Sequence, residues 1–234
     1  MENNKLIELD KLHSESEIYK VGSKVYDSFS SAEDYPEKIS KFLSNKVKDK
    51  IVLDFGCGTG KFIQSIAPLS KLFIAMDVAD NQLKFAKEKI KESNKVKFIK
   101  NTPNKIPLES NSVDVIFSAW VIGGIHNLKI RKSLLEEMKR VLKKDGKIYL
   151  IENDVEGDYK KIVEENHGNQ KTEQKLKWLE EHHFRKIESF QTYFQFETLN
   201  KAREIFEKIF GEDIASKIKN KKISHNIVIY ENGK

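Results

Sequence analysis

The residues best suited to chemistry lie in one short stretch, Ile51-Val-Leu-Asp54-Phe-Gly56-Cys57-Gly58-Thr-Gly60. An apolar run ends at a carboxylate and passes into three glycines at alternate positions, then into helical spacing. Glycine permits positive φ and has no Cβ to obstruct a ligand approaching the backbone. The unpaired N–H groups of a helix start beyond it suit an anionic or strongly polar ligand. An ordinary strand-to-helix turn carries a glycine or two, which leaves the acid and the alternation unexplained. The dinucleotide fingerprint fails on spacing, because its third glycine falls on Lys61. A phosphate-binding P-loop fails too, since no Lys-Ser or Lys-Thr follows. A second carboxylate, Asp77, closes the apolar run Leu72–Met76.

These residues need a frame, and the sequence predicts one. Apolar runs at Ile51–Phe55, Leu72–Met76, Val96–Ile99, Val113–Phe117 and Lys147–Ile151 alternate with helical patterns. A helix is predicted from Asp34-Tyr35-Pro36, with Asp34 as cap and Ile39, Phe42, Leu43 and Val47 as its stripe. Another spans Phe62–Ala67 and stops near Pro68, and a third is capped by Asp80. The clearest carries Ile130, Leu134, Leu135, Met138, Val141 and Leu142, ended by Asp145-Gly146. Beyond Glu152 the expectation is a polar stretch to Thr172, a helix with Leu176 and Leu179, and a strand over Phe184–Phe196. A helix over Ala202–Phe210 closed by Gly211 and a strand over His225–Tyr230 complete the pattern. Strands alternating with helices imply an α/β fold with a parallel sheet covered on both faces.

The motif D-x-G-x-G-x-G resembles the first motif of class I S-adenosylmethionine-dependent methyltransferases. The resemblance extends over about 100 residues, to the fifth strand. Ile106-Pro-Leu-Glu-Ser-Asn-Ser-Val-Asp114 is similar to that family's approach to strand four. Lys139–Gly146 followed by Lys147-Ile-Tyr-Leu resembles its helix-then-strand-five signature. The resemblance implies a Rossmann-like parallel sheet with an antiparallel last strand, helices on both faces and a helical N-terminal extension. It implies S-adenosyl-L-methionine as cofactor, with Asp54, Gly56, Cys57, Gly58 and Gly60 at its methionine end and Asp77 on the ribose. Val78 would flank the adenine, and Ser118 and Ala119 would lie beside the methyl group. The family commonly places an acid and then a backbone N–H at the adenine. Those places fall here on Thr102, a weaker acceptor, and Pro103, which has no N–H.

The implied reaction is in-line attack on a sulfonium methyl, by a small-molecule acceptor whose proton a base could take. His126 after strand four is the candidate base; an ordinary loop histidine is the plainer reading. Glu152 and Asp154 follow strand five, where solvated loop acids are the default. Ser118-Ala-Trp120-Val replaces the Asn/Asp-Pro-Pro-aromatic motif of amino-directed nucleic-acid methyltransferases. Cys57, the only cysteine, excludes a disulfide framework and a multi-thiolate metal site, and it lies in the wrong place for cysteine-based C5 methylation. His167, His182 and His183 read as surface or helix-end residues, so no metal site is expected. Tyr26 and Tyr35 could contact the cofactor from a lid or pack in the core, and Trp120 could line the pocket or pack under it.

The 234 residues carry 42 Lys and Arg against 36 Asp and Glu, a net charge of +6 that is mostly Lys. Without Arg clusters or interleaved exposed aromatics, the Lys runs read as solvated surface, which weighs against a nucleic-acid partner. No signal peptide or membrane-spanning run is read in the sequence, so the expected location is cytoplasmic. The expected organisation is a helical N-terminal extension or lid over 1–48 and a methyltransferase domain over 49–234, with inserts near 153–172 and 198–222. Two rival functions remain: an RNA or protein methyltransferase using the basic surface, and a non-catalytic protein that binds S-adenosylmethionine. The sequence carries no signal for oligomeric state.

Overall fold

A computed structural model describes residues 22–90, 93–102, 105–125, 127–154, 156–164 and 168–233. Seven strands form one sheet: β1 (Ile51–Phe55), β2 (Leu72–Asp77), β3 (Val96–Lys100), β4 (Val113–Ala119), β5 (Leu142–Asn153), β6 (Arg185–Gln195) and β7 (Lys222–Gly233). Their order is β3-β2-β1-β4-β5-β7-β6. The pairings among β1 to β5 are all parallel, and β7 runs antiparallel to both β5 and β6. The last strand in sequence therefore sits inside the sheet, not at its edge.

Alternation along the buried strands sends side chains to two apolar layers. On one face Leu53, Ile74, Met76, Ile116, Ile148 and Leu150 pack against α5 (Leu128–Val141) and α7 (Gly168–Glu181). On the other, Val52, Phe73, Ala75, Val115, Phe117 and Ile151 pack against α2 (Lys38–Val47), α3 (Ile63–Ile66) and α4 (Asp80–Lys89). A third cluster gathers Phe29 of α1 (Ser23–Ala32), Tyr159 of α6 (Asp158–Glu164), Phe194 of β6, Phe196 just after it, and Phe206 of α8 (Leu199–Phe210). A short helix α9 (Glu212–Ser216) leads into β7.

Several boundaries differ from the sequence expectation. The helix expected from Asp34 starts at Lys38, with Pro36 ahead of it in a cis bond to Tyr35. Asp34 still serves its start, because its two carboxylate oxygens lie 3.1 and 3.0 Å from the Ile39 N–H that they accept. Pro68 lies within a 3-10 turn, Ala67–Leu69, that prolongs α3. Asp80 opens α4 but does not cap it; the residue before the helix is Ala79, and Asp80 points out to Lys100 at 2.5 Å. Helix α5 stops at Val141, four residues before Asp145. There the turn entering β4 takes its last carbonyls: Asn111 N–H bonds Arg140 O at 3.0 Å and Ser112 N–H bonds Val141 O at 2.8 Å. Tertiary pairing thus overrides the Asp-Gly stop, and Leu142 pairs with Val113 at the head of β5. The stretch 153–172 holds α6 and the start of α7. Tyr159, Ile162 and Val163 of α6 have helical spacing, but the charges around them hide it.

Candidate active site

The glycine loop is fastened to the end of β2. The N–H groups of Gly56 and Cys57 both donate to Met76 O, at 2.8 and 2.9 Å. Gly58 N–H donates to Asp77 Oδ2 at 2.8 Å, and Ala79 N–H to Asp77 Oδ1 at 2.9 Å. Gly56 has φ 82°, and a Cβ built there would lie 2.3 Å from Val121 Cγ2, so the segment after β4 presses directly on the loop. From above, Tyr26 of α1 brings its ring to 3.2 Å from where a Gly58 Cβ would sit.

Two carboxylates occupy this crevice. Asp54 is 1% exposed, and its Oδ2 has no hydrogen-bond partner among the described residues. Burial first, and then the Asp77 charge, push its carboxyl well above the usual range. The hydroxyls of Thr59 and Ser118 are buried without partners as well. Buried polar atoms are paired in the great majority of cases. A group of orphans around one loop therefore marks a place built for a polar, preferably cationic, ligand. The Cys57 thiol is raised well above its usual value by burial and by Asp54 and Asp77, so it stays protonated and inert.

Beyond β4 the chain turns at Trp120, whose φ is 58°, into a 3-10 turn over Ile122–Gly124. Glu152 at the end of β5 grips this turn: its Oε1 accepts from Gly123 N–H at 2.8 Å, and Lys175 lies 3.8 Å from Oε2. Glu152 is buried, not the solvated acid its position suggests, and burial raises its pKa despite Lys175. Arg131 holds the next residue, donating from Nε to Ile125 O at 2.8 Å while its guanidinium lies 5.1 Å above the Trp178 ring.

Residues 53–150 match a family model described as a methyltransferase domain. Over that stretch the chain is similar to a methyltransferase domain. The chain is 34% identical over 107 residues to a demethylmenaquinone methyltransferase of Lactococcus lactis, a match covering 43% of this chain and 41% of the relative. It is 35% identical over 112 residues to a ubiquinone/menaquinone biosynthesis C-methyltransferase of Campylobacter jejuni, covering 45% of each. The chain thus spans less than half the length of these relatives. A solved S-adenosylmethionine-dependent methyltransferase from Aquifex aeolicus shares the fold with TM-score 0.56 and 22% identity, covering 92% of this chain and 97% of that one. The YcgJ protein of Bacillus subtilis does so with TM-score 0.60 and 16% identity, over 83% and 97%.

Within the matched stretch, Asp54, Gly56, Cys57, Gly58, Gly60 and Asp77 lie at or just beyond the carboxyl ends of β1 and β2, with Ser118 and Ala119 at the end of the adjoining strand β4. Val78 follows directly, half-buried. Thr102 is exposed, its hydroxyl 3.4 Å from Lys105 O. The buried residue at that edge is Asn101, whose N–H donates to Asp77 O at 3.2 Å. Pro103, His126 and His167 lie outside the described residues. His182 lies just past α7 with Nδ1 2.8 Å from Trp178 O. Tyr35 is exposed and pairs with Tyr193. Among the described residues, no group of three or more His, Cys, Asp or Glu could hold a metal ion, and no helix is long and apolar enough to cross a membrane.

Sequence reading gave Lys61 no role beyond breaking a motif. Its half-buried ammonium donates to the carbonyls of Ser30, in the last turn of α1, and, at 2.8 Å, Glu33, the residue after that helix. A cation at a helix C-terminus is favoured by the helix dipole. Lys61 thereby bolts the first described helix to the loop that follows the glycines.

Proposed function

We propose that the chain transfers the methyl group of S-adenosylmethionine to a small-molecule acceptor by in-line displacement. The observation that carries this is Asp54, a buried carboxylate with an orphaned oxygen beside Asp77 at the carboxyl ends of β1 and β2. Ligands of open α/β sheets bind at that edge. When bound there, the cofactor supplies an electrophilic methyl on a sulfonium whose sulfur leaves neutral. Asp54 accepts from the methionine ammonium, relieving the mutual repulsion of the two carboxylates. Asp77, braced by Gly58 and Ala79, takes the ribose hydroxyls with its remaining acceptor capacity. Gly56 and Gly60 let the backbone approach, Val78 and Asn101 border the adenine with Thr102 at the rim, and Ser118 and Ala119 flank the methyl group. His126, next to the Arg131-held carbonyl of Ile125, is the candidate base.

The relatives named above suggest a quinol ring carbon as the first acceptor to try. The family match ends at residue 150, before α6, α7, β6, α8 and β7. The acceptor class therefore rests on the relatives alone. A thermal-shift assay with S-adenosylhomocysteine and NAD, followed by labelled-methyl transfer to a panel of quinols, phenols and amines, tests the reading. Stabilisation by S-adenosylhomocysteine alone is expected; stabilisation by NAD alone sinks it. Cofactor binding with no transfer across the panel would favour a non-catalytic binder, and transfer to tRNA that falls steeply with salt would favour the nucleic-acid rival.

A further inference from the structure

Four segments meet beyond the carboxyl ends of β4 and β5 in a polar cluster that the scheme above does not use. Glu33 follows α1, Lys61 leaves the glycine loop, Asn153 ends β5 and His225 lies near the start of β7. His225 is 1% exposed; its Nδ1 is 3.3 Å from Glu33 Oε1 and its Nε2 2.9 Å from Asn153 Oδ1. The Nδ1 contact is close but makes no aligned hydrogen bond, so that nitrogen is orphaned in a buried place. The buried indole Nε1 of Trp120 is orphaned too, and its ring stacks 6.2 Å from the His225 imidazole. The rings of Tyr159 and Phe194 lie 4.8 and 4.9 Å from His225, so the polar cluster is walled with aromatic surface.

A brace between α1 and β7 needs none of these polar groups, since apolar side chains of the same shape would hold it as well. Two orphaned nitrogens, one 3.3 Å from the Glu33 carboxyl and the other on the ring stacked against His225 one residue past the end of β4, point to a polar group that this cluster receives. Resting on the methyltransferase reading, we propose that Glu33 and His225 form the proton-accepting side of the acceptor site, and that the acceptor carries an ionisable hydroxyl on a flat unsaturated ring. Glu33, in place of His126, is the group that touches the acceptor and takes its proton, and His225, held by Asn153, positions it.

The step balances without a further reagent. The hydroxyl proton passes to the Glu33 carboxylate, and the resulting oxyanion drives attack on the methyl carbon. The new bond forms as the carbon–sulfur pair stays on sulfur. Methylation on oxygen ends there. Methylation on a ring carbon ends when that carbon loses its hydrogen as a proton and the oxygen regains one. Trp120 Nε1 donates to the acceptor oxygen as its charge grows. The titratable groups facing Glu33 are Lys61 from the glycine loop, Asp34 beside it and His225 from β7. Burial outweighs Lys61 and raises the Glu33 carboxyl to about 8, while burial and Lys61 hold His225 neutral, down to about 3. Two titratable groups driven apart in this way suit an acid–base pair.

The test uses the whole chain saturated with S-adenosylhomocysteine, histidine-labelled at Cε1, and 2-naphthol as a redox-stable probe of the acceptor class. The His225 resonance should show an inflection near pH 8 that Glu33→Gln removes and Glu33→Asp retains. 2-Naphthol should bind and displace that inflection, with affinity falling about tenfold in Glu33→Gln, the size of a lost charge-assisted hydrogen bond. Unchanged S-adenosylhomocysteine affinity in both variants shows that they remain folded. Three results each overturn this proposal alone: no inflection, no 2-naphthol binding at millimolar concentration, or equal affinity in wild type and Glu33→Gln. Failure of the wild-type protein to bind S-adenosylhomocysteine overturns the parent reading and this one with it.

Discussion

Asp54 is held in place at a cost to the unliganded fold, because its carboxyl is buried beside a second one. Asp54→Asn keeps the shape and removes the ionisable group. The unliganded variant should therefore melt higher than wild type while its affinity for S-adenosylhomocysteine falls by about tenfold or more; calorimetry of both proteins reads the two effects together. Glu33 gives a pH signature with a definite sign. Its folded pKa, about 8, exceeds its unfolded value near 4.5, so the native state holds the extra proton and stability falls as pH rises between them. His225 acts oppositely, losing stability as pH falls from 6.5 towards 3, so the two oppose each other up to 6.5 and Glu33 acts without that counterweight between 6.5 and 8. Glu33→Gln should flatten the fall in melting temperature from pH 6.5 to 8. Asp54 and Asp77 could be picked out of the sequence because their motif spaces them. Glu33 and His225 could not, and Glu152 read only as a solvated loop acid, because each becomes significant only through burial against a segment far away in the chain.

At the level of elements, the crevice depends on two clamps. Lys61 ties α1 to the glycine loop, and Glu152 with Arg131 ties the turn after β4 to β5 and α5. Lys61→Met should cost about 1–3 kcal/mol by leaving two carbonyls without their donor. It should also speed amide exchange across 23–33 more than across β1, as hydrogen–deuterium exchange would show. Gly123→Ala places a Cβ 2.1 Å from Glu152 Oε2 and should cost about 1–3 kcal/mol through overpacking; a melting temperature equal to wild type would show that the turn gives way freely. The core strands were legible because period and length agree there. The end of α5 was not, since carbonyls taken by residues 111 and 112 decide it, and α6 was not, since its three apolar residues sit among charges.

For the molecule as a whole, ligand linkage sets the size of the expected response. S-adenosylhomocysteine at 100 times its dissociation constant should stabilise the fold by about 2.7 kcal/mol, and NAD should not. The +6 charge carries little of the functional argument, because the crevice itself is lined by carboxylates and backbone groups. The sheet order, with β7 between β5 and β6, has a bearing on how the chain is made. On the ribosome, β6 emerges well before β7, its one neighbour in the sheet, so an eleven-residue strand and the open flank of β5 wait together for the same late segment. Unpaired strand edges invite association with other chains. Nascent chains stalled before residue 222 should thus cling to chaperones, and those released with β7 complete should let go.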